Sequence, residues 1–163
     1  MSSLVADNDN TRIFTGGSVL QRVSLNLVNG VVFAGFGGHC DQFNFTGWVV
    51  GISTAGKYVT GYATSGGLGA PPQDGTWTGG GGGCGIWMSG MPISSDNSGR
   101  IFFVTGNGYK MTDNQQQPAS GRVHLDTLSE CVVNMAVDPK TGVLTQQDYF
   151  EPYTYAAMGS AMS

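Results

Sequence analysis

Hydrophobic and polar positions alternate most legibly between Ser24 and Phe36. Leu25 and Leu27 are separated by polar neighbours, then Asn29-Gly30 precedes the apolar run Val31-Val32-Phe33-Ala34. Asn-Gly between two apolar runs predicts a hairpin, because both turn positions need positive φ. A second hairpin is predicted at once: Trp48 to Ile52, the turn Ser53-Thr54-Ala55-Gly56-Lys57, then Tyr58 to Tyr62. Together they make a meander of four strands.

The pattern then recurs. Met91 to Ser95, the turn Asp96-Asn97-Ser98-Gly99 and the run Arg100 to Thr105 restate the first hairpin. Cys131 to Val137, the turn Asp138-Pro139-Lys140-Thr141-Gly142 and Val143 to Phe150 restate the second. Gly30 and Gly99 are 69 residues apart, and Gly56 and Gly142 are 86 apart, so the second copy carries 17 more residues, mostly the polar stretch 111–128. Val31 to Ala34 and Ile101 to Val104 lose clean alternation, as strands buried on both faces do. No segment has a helix-period stripe of useful length; the best candidate, Leu125 to Glu130, is barely more than a turn. Doubly wound and helix-bundle folds are thereby excluded. The expected fold is all-β, with two four-stranded antiparallel sheets and long loops within and between them: a first unit at 24–62, a glycine-rich connection at 63–90 and a second unit at 91–150.

Composition sharpens this picture. Charged residues are 11% of the 163, against about 25% in typical soluble domains, while glycine reaches 27 residues. Such a chain suits a tight-turned β protein working outside the cell. A net charge of -4 with only seven Lys plus Arg gives no electrostatic means of holding a phosphate backbone, so nucleic acid is not an expected partner. No apolar run approaches the ~18 residues of a membrane span. The sequon Asn44-Phe45-Thr46 is a candidate glycosylation site, consistent with secretion, with any signal lying upstream. Cys40, Cys84 and Cys131 form no C-x-x-C, so no metal site is expected from them, and at most one pair can close.

The turns Thr54-Ala55-Gly56-Lys57 and Asp138-Pro139-Lys140-Thr141-Gly142, each after a strand, resemble the D-x-x-T-G-x turn of pyrroloquinoline-quinone-type repeats. Around them, Phe36 to Asp41, Gly47-Trp48-Val49, Gly85-Ile86-Trp87, Val104 to Gly108 and Asp148-Tyr149-Phe150 are similar to secreted bacterial and fungal quinoprotein-like propeller proteins. The resemblance implies a partial β-propeller of two blades, because a closed one needs at least four blades of roughly 40 residues. It also implies partners in the remaining blades of the parent propeller and, in a full-length parent, pyrroloquinoline quinone with calcium. The quinone-dependent alcohol dehydrogenases carry a tryptophan after the repeat turn and a vicinal cysteine pair. This chain has Tyr58 and Tyr149 in the nearest places and no adjacent cysteines.

His39-Cys40-Asp41, in a glycine-flanked loop, could bring an imidazole and a carboxylate to one ligand or act as an acid/base pair; the plainer reading is a loop histidine bonded to backbone. Trp87 offers a stacking surface for a sugar or quinone, as do Trp48 and Trp77, although all three also suit packing between blades. Asn107, between Gly106 and Gly108, suits a tight turn or a ligand-facing amide. His39, Asp41, Trp87 and Asn107 are therefore the ligand-binding candidates, and no catalytic residue is assigned. His124 belongs to the polar insertion and is expected to be exposed. The run Gly79 to Gly83 lacks the Gly-Lys-Ser/Thr of a phosphate loop, and Asp7-Asn8-Asp9-Asn10 lacks the glycine and distal glutamate of a calcium loop. Two functions follow as expectations: a binding or scaffold propeller taking a small molecule or carbohydrate, and, as the alternative, part of a quinone-dependent alcohol or sugar oxidoreductase.

Overall fold

The computed structural model of the chain describes residues 4–39, 45–67, 69–73, 82–108 and 125–152. The chain is all-β, and its strands form two antiparallel sheets. The first holds β1 (Val19–Gln21), β2 (Asn26–Val28), β3 (Val31–Gly38), β4 (Trp48–Ser53) and β5 (Tyr58–Ala63). The second holds β6 (Ser94–Ser95), β7 (Arg100–Val104), β8 (Val132–Val137) and β9 (Leu144–Phe150), in that order.

All four hairpins form where the turn chemistry places them. Asn29 and Gly30 take φ of 50° and 78° between β2 and β3, and Gly56 takes 75° between β4 and β5. Asn97 (61°) and Gly99 (85°) turn β6 into β7, and Gly142 (77°) turns β8 into β9. Asp138 holds that last turn by accepting the N–H groups of Lys140 and Thr141 at 2.9 and 2.7 Å.

Register shows the repeat directly. Val31 pairs with Ser53 as Arg100 pairs with Ala136, and the β4–β5 irregularity between Gly51 and Ile52 has its counterpart between Asn134 and Met135 in β8–β9. Val32 therefore corresponds to Ile101, Val49 to Val132, Val50 to Val133 and Tyr62 to Phe150. The correspondence sorts each sheet into two faces. In the first sheet, the face with Val31, Phe33, Val49 and Tyr62 packs against the second sheet. In the second, the face that packs inward is the other one, with Ile101, Phe103, Val133 and Met135. Unlike faces thus meet, so the sheets are related by a head-to-tail step and not by a two-fold. Tyr62 donates its hydroxyl to Gln146 Oε1 at 2.6 Å and Leu144 N–H donates to Thr60 Oγ1 at 3.2 Å, joining the sheets at their β5 and β9 sides.

The remaining face of the first sheet, with Trp48, Val50 and Ala63, is covered by residues 4–14, whose Leu4, Ala6 and Phe14 pack on it. The Phe14 ring meets Phe36 and Trp48 edge-on, with centroids 4.9 and 5.6 Å apart.

Three features depart from the sequence reading. The first sheet starts before residue 24: β1 pairs with the end of β3, while β2 pairs with its beginning. A three-residue strand gives too short a pattern to read. Leu25 and Leu27 are exposed, both at 60%, because the alternation runs the other way at this edge. Asn26 faces the second sheet, and its amide donates to the Ile93 carbonyl. Lastly, Met88–Gly90 makes one 3₁₀ turn in the connection between the sheets.

Gly30 and Gly142 have the same backbone requirement but different surroundings. A Cβ at Gly30 would meet nothing within 4 Å, whereas one at Gly142 would lie 2.7 Å from Val31 Cγ2 and 2.9 Å from Val59 Cγ1. Gly30→Ala should cost about 1 kcal/mol, the left-handed penalty alone. Gly142→Ala should cost about 2–4 kcal/mol, because overpacking of the contact between the sheets is added. Urea unfolding midpoints of the two variants test this, and equal losses would contradict the inter-sheet placement of Gly142.

Candidate functional site

The candidate ligand residues meet different fates. His39 is exposed at the end of β3, its N–H donating to the Ser18 carbonyl at 3.3 Å. Asp41, the sequon residue Asn44 and His124 lie outside the described residues, as do Trp77 and 79–81 of the glycine run. Trp48 is fully buried in the packing beneath residues 4–14. Trp87 and Asn107 are brought onto neighbouring chain segments. The Gly106 N–H donates to the Gly85 carbonyl at 2.8 Å, and the Cys84 N–H donates to the Asn107 carbonyl at the same distance. Asn107 is buried, and Gly83 pairs antiparallel with Gly108 beside it.

Trp87 rests on glycine. A Cβ at Gly37 would lie 2.7 Å from the indole Cε2, and one at Gly85 would lie 2.9 Å from Nε1. Any side chain at either position would push the indole away. Gly85 belongs to the glycine-rich connection expected at 63–90 and Gly37 to the strand end before His39; close approach of the ring to backbone is their structural use.

Beside the indole lies an open groove of about 360 Å³, lined by Trp87, Met88, Met91, Val104, Thr105 and Gly106. Met88 opens the 3₁₀ turn and Met91 follows it, and within the turn Met88 and Ser89 have φ of 39° and 49°. Only Thr105 among these side chains has a hydroxyl, and it is engaged internally: it donates to the carbonyls of Leu128 and Cys131 and accepts from the Cys131 N–H at 2.9 Å. The groove thus presents an aromatic ring, two thioethers and a valine, a surface for a flat apolar molecule. The methionines were not foreseen as site residues; their only sequence signal was nearness to Trp87. Glu130 lies close by, its N–H donating to the Gly106 carbonyl at 3.0 Å, and burial pushes its carboxyl above the ordinary value.

The other candidate chemistry resolves into structure. Asp7 Oδ2 accepts the Thr60 hydroxyl at 2.6 Å and the Gly61 N–H at 3.2 Å, and Asn8 exchanges two hydrogen bonds of 2.9 Å with the backbone of Ala63. These residues latch the covering segment to the outer edge of β5, protecting an exposed strand edge. Burial raises the Asp9 carboxyl, but the Gly67 N–H, the Thr11 hydroxyl and N–H, and the Arg12 guanidinium outweigh it and bring it from 3.8 to about 2. Arg12 is itself buried, 3.2 Å from Asp9, and donates to the Pro71 carbonyl. Among the described residues no group of three or more His, Cys, Asp or Glu side chains could hold a metal ion. Cys84 and Cys131 are buried, their Sγ–H groups donating to the carbonyls of Gly82 and Ser129 at 3.5 and 3.1 Å, and Cys40 lies outside the described residues.

Set beside known proteins, the chain matches no family model, no curated protein and no solved structure. Among the described residues no helix is long and apolar enough to cross a membrane.

The depressed Asp9 carboxyl stabilises the fold at pH values above its unfolded pKa near 3.8, and that contribution is lost as pH falls towards 2. Asp9→Asn should cost about 1 kcal/mol at pH 7, the shift being discounted for solvent screening, and flatten the acid dependence between pH 4 and 2. Chemical unfolding at pH 7, 4 and 2.5 checks it; an unchanged acid slope in the variant would contradict the role of Asp9.

Proposed function

We propose that the chain is a pair of consecutive blades of a propeller of the pyrroloquinoline-quinone-repeat kind, acting outside the cell as a ligand-binding or scaffold module. The observation that supports this reading is the head-to-tail step between the two sheets: the same bulge, the same turns and the same register recur, and unlike faces meet. A step of that sort generates a ring or stack of blades, in which each blade buries one face on the next. On this reading further blades are the partners, and the glycine-rich connection between the sheets carries the ligand groove.

The ligand is a small molecule with a flat apolar face, seated against Trp87 between Met88, Met91 and Val104. The apolar lining favours such a ring over a sugar, whose hydroxyls would find little there to pair with. The alternative, a quinone-dependent alcohol or sugar oxidoreductase, does not fit this groove as well, because the carboxylates of pyrroloquinoline quinone would meet no cationic side chain among Trp87, Met88, Met91, Val104 and Thr105.

Tryptophan fluorescence titrated with 1,4-naphthoquinone, with pyrroloquinoline quinone plus calcium, and with cellobiose tests the reading. Saturable quenching by 1,4-naphthoquinone and none by cellobiose is expected. Met91→Glu, at a position 66% exposed, should weaken it about tenfold, roughly 1.4 kcal/mol. Quenching that never saturates, or is equal in Met91→Glu, would contradict the groove as the site. Reduction of an electron-accepting dye by an alcohol in the presence of the loaded quinone would favour the oxidoreductase.

A further inference from the structure

The three methionines among the described residues sit at three depths. Met135 is fully buried in the core between the sheets, Met88 is half-buried and packed against that core, and Met91 is 66% exposed in the wall of the groove. The backbone around Met91 is held on both sides. Its N–H donates to the Met88 carbonyl at 2.8 Å, the Ser24 hydroxyl donates to the Gly90 carbonyl at 2.6 Å, and Pro92 makes a parallel bridge with Ser24. The Met91 thioether is therefore kept in the wall it shares with Trp87 while remaining open to solvent. An exposed thioether is a nucleophile towards peroxides, whereas a sulfur shielded by packing is reached only when the fold opens.

We propose that Met91 is a site of reversible oxidation by peroxides, and that its sulfoxide closes the groove to apolar rings. The second half rests on the ligand-groove reading above; the first does not. In the forward step the sulfur lone pair attacks one oxygen of the peroxide. An S–O bond forms, the O–O bond breaks, and with a proton shift the other oxygen leaves as water; the sulfur loses two electrons and the peroxide gains them. In the reverse step two thiols of a reductant become a disulfide, and the sulfoxide oxygen leaves as water. Oxidation turns an apolar, polarisable side chain into one carrying a strong acceptor oxygen. The Thr105 hydroxyl is already committed to Leu128 and Cys131, so that oxygen holds water in the groove, and a ring must strip the water to enter. With the backbone pinned at Gly90, Met91 and Pro92, the chain cannot swing the new polar group away. The fold is spared, because Met91 lies outside the core that Met135 helps to fill.

The full chain treated with hydrogen peroxide for increasing times, then with catalase, tests both halves. Peptide mass spectrometry with fragment ions should place the added oxygen on Met91 well before Met88, and on Met88 before Met135. Titration of the Met91-oxidised protein with 1,4-naphthoquinone, read by tryptophan fluorescence, should give a dissociation constant raised about tenfold. The urea unfolding midpoint should stay where it was, and methionine sulfoxide reductases with dithiothreitol should restore binding. In Met91→Leu, whatever its starting affinity, peroxide should leave the dissociation constant unchanged. Oxidation of Met88 or Met135 as fast as Met91 would overturn the assignment of the site. An unchanged dissociation constant after Met91 oxidation, an equal rise in Met91→Leu, or a fall in the unfolding midpoint that accompanies the loss would overturn the closing of the groove. Untreated protein that does not bind naphthoquinone overturns the groove reading and the closing with it, while the order of oxidation is decided by mass alone.

Discussion

Phe33, Val49 and Tyr62 on one sheet and Ile101, Phe103, Val133 and Met135 on the other fill a single core, and neither sheet can bury that face without its neighbour. A sheet of four or five short strands standing alone exposes both faces and gains little apolar burial against the entropy of ordering the chain. Stacking removes one face of each sheet from water at once. The other consequences follow from which faces are used. Since unlike faces meet, one face is left over at each end of the stack. At the first end the chain covers its own leftover face with Leu4, Ala6 and Phe14, and ties the cover down through Asp7, Asn8 and Asp9. At the second end Val104, Val132 and Phe150 stay exposed.

The parts of this architecture that were legible beforehand are those determined within a few residues of chain. Asn29-Gly30, Gly56, Asp96 to Gly99 and Asp138 to Gly142 each carry residues suited to positive φ or to side-chain caps, and each is a turn. The strands between them follow, as does the repeat, because matching turns flank matching apolar runs. What stayed hidden depends on partners far along the chain. Three residues of β1 carry no readable pattern. Leu25 and Leu27 look like an inward face until Asn26 is seen bonded to Ile93, 67 residues away. The acidic run at 7–9 resembles a cation loop in composition, while its actual partners are backbone groups of β5 and Gly67.

The site was legible in the same partial way. Trp87 and Asn107 were singled out as separate candidates, and pairing between residues 83–85 and 106–108 sets them on adjacent segments. The glycines around Trp87 read as punctuation in sequence; in space they let an indole lie against backbone at Gly37 and Gly85. The apolar character of the groove comes from Met88, Met91 and Val104, brought together by the 3₁₀ turn and the end of β7. No local pattern announces such a meeting. His39, by contrast, follows β3 at the surface, and the groove does not include it.

If the shared core is what holds the molecule together, the two sheets must lose their structure together. Native-state hydrogen exchange measures this most directly, by comparing the opening free energies of amides in β4, at Val49 and Val50, with those in β8, at Val133 and Met135. The account predicts that both sets exchange only through global unfolding, with the same free energy and the same denaturant dependence. Exchange of one sheet's amides several kcal/mol below the other's, with the second sheet still protected, would contradict it.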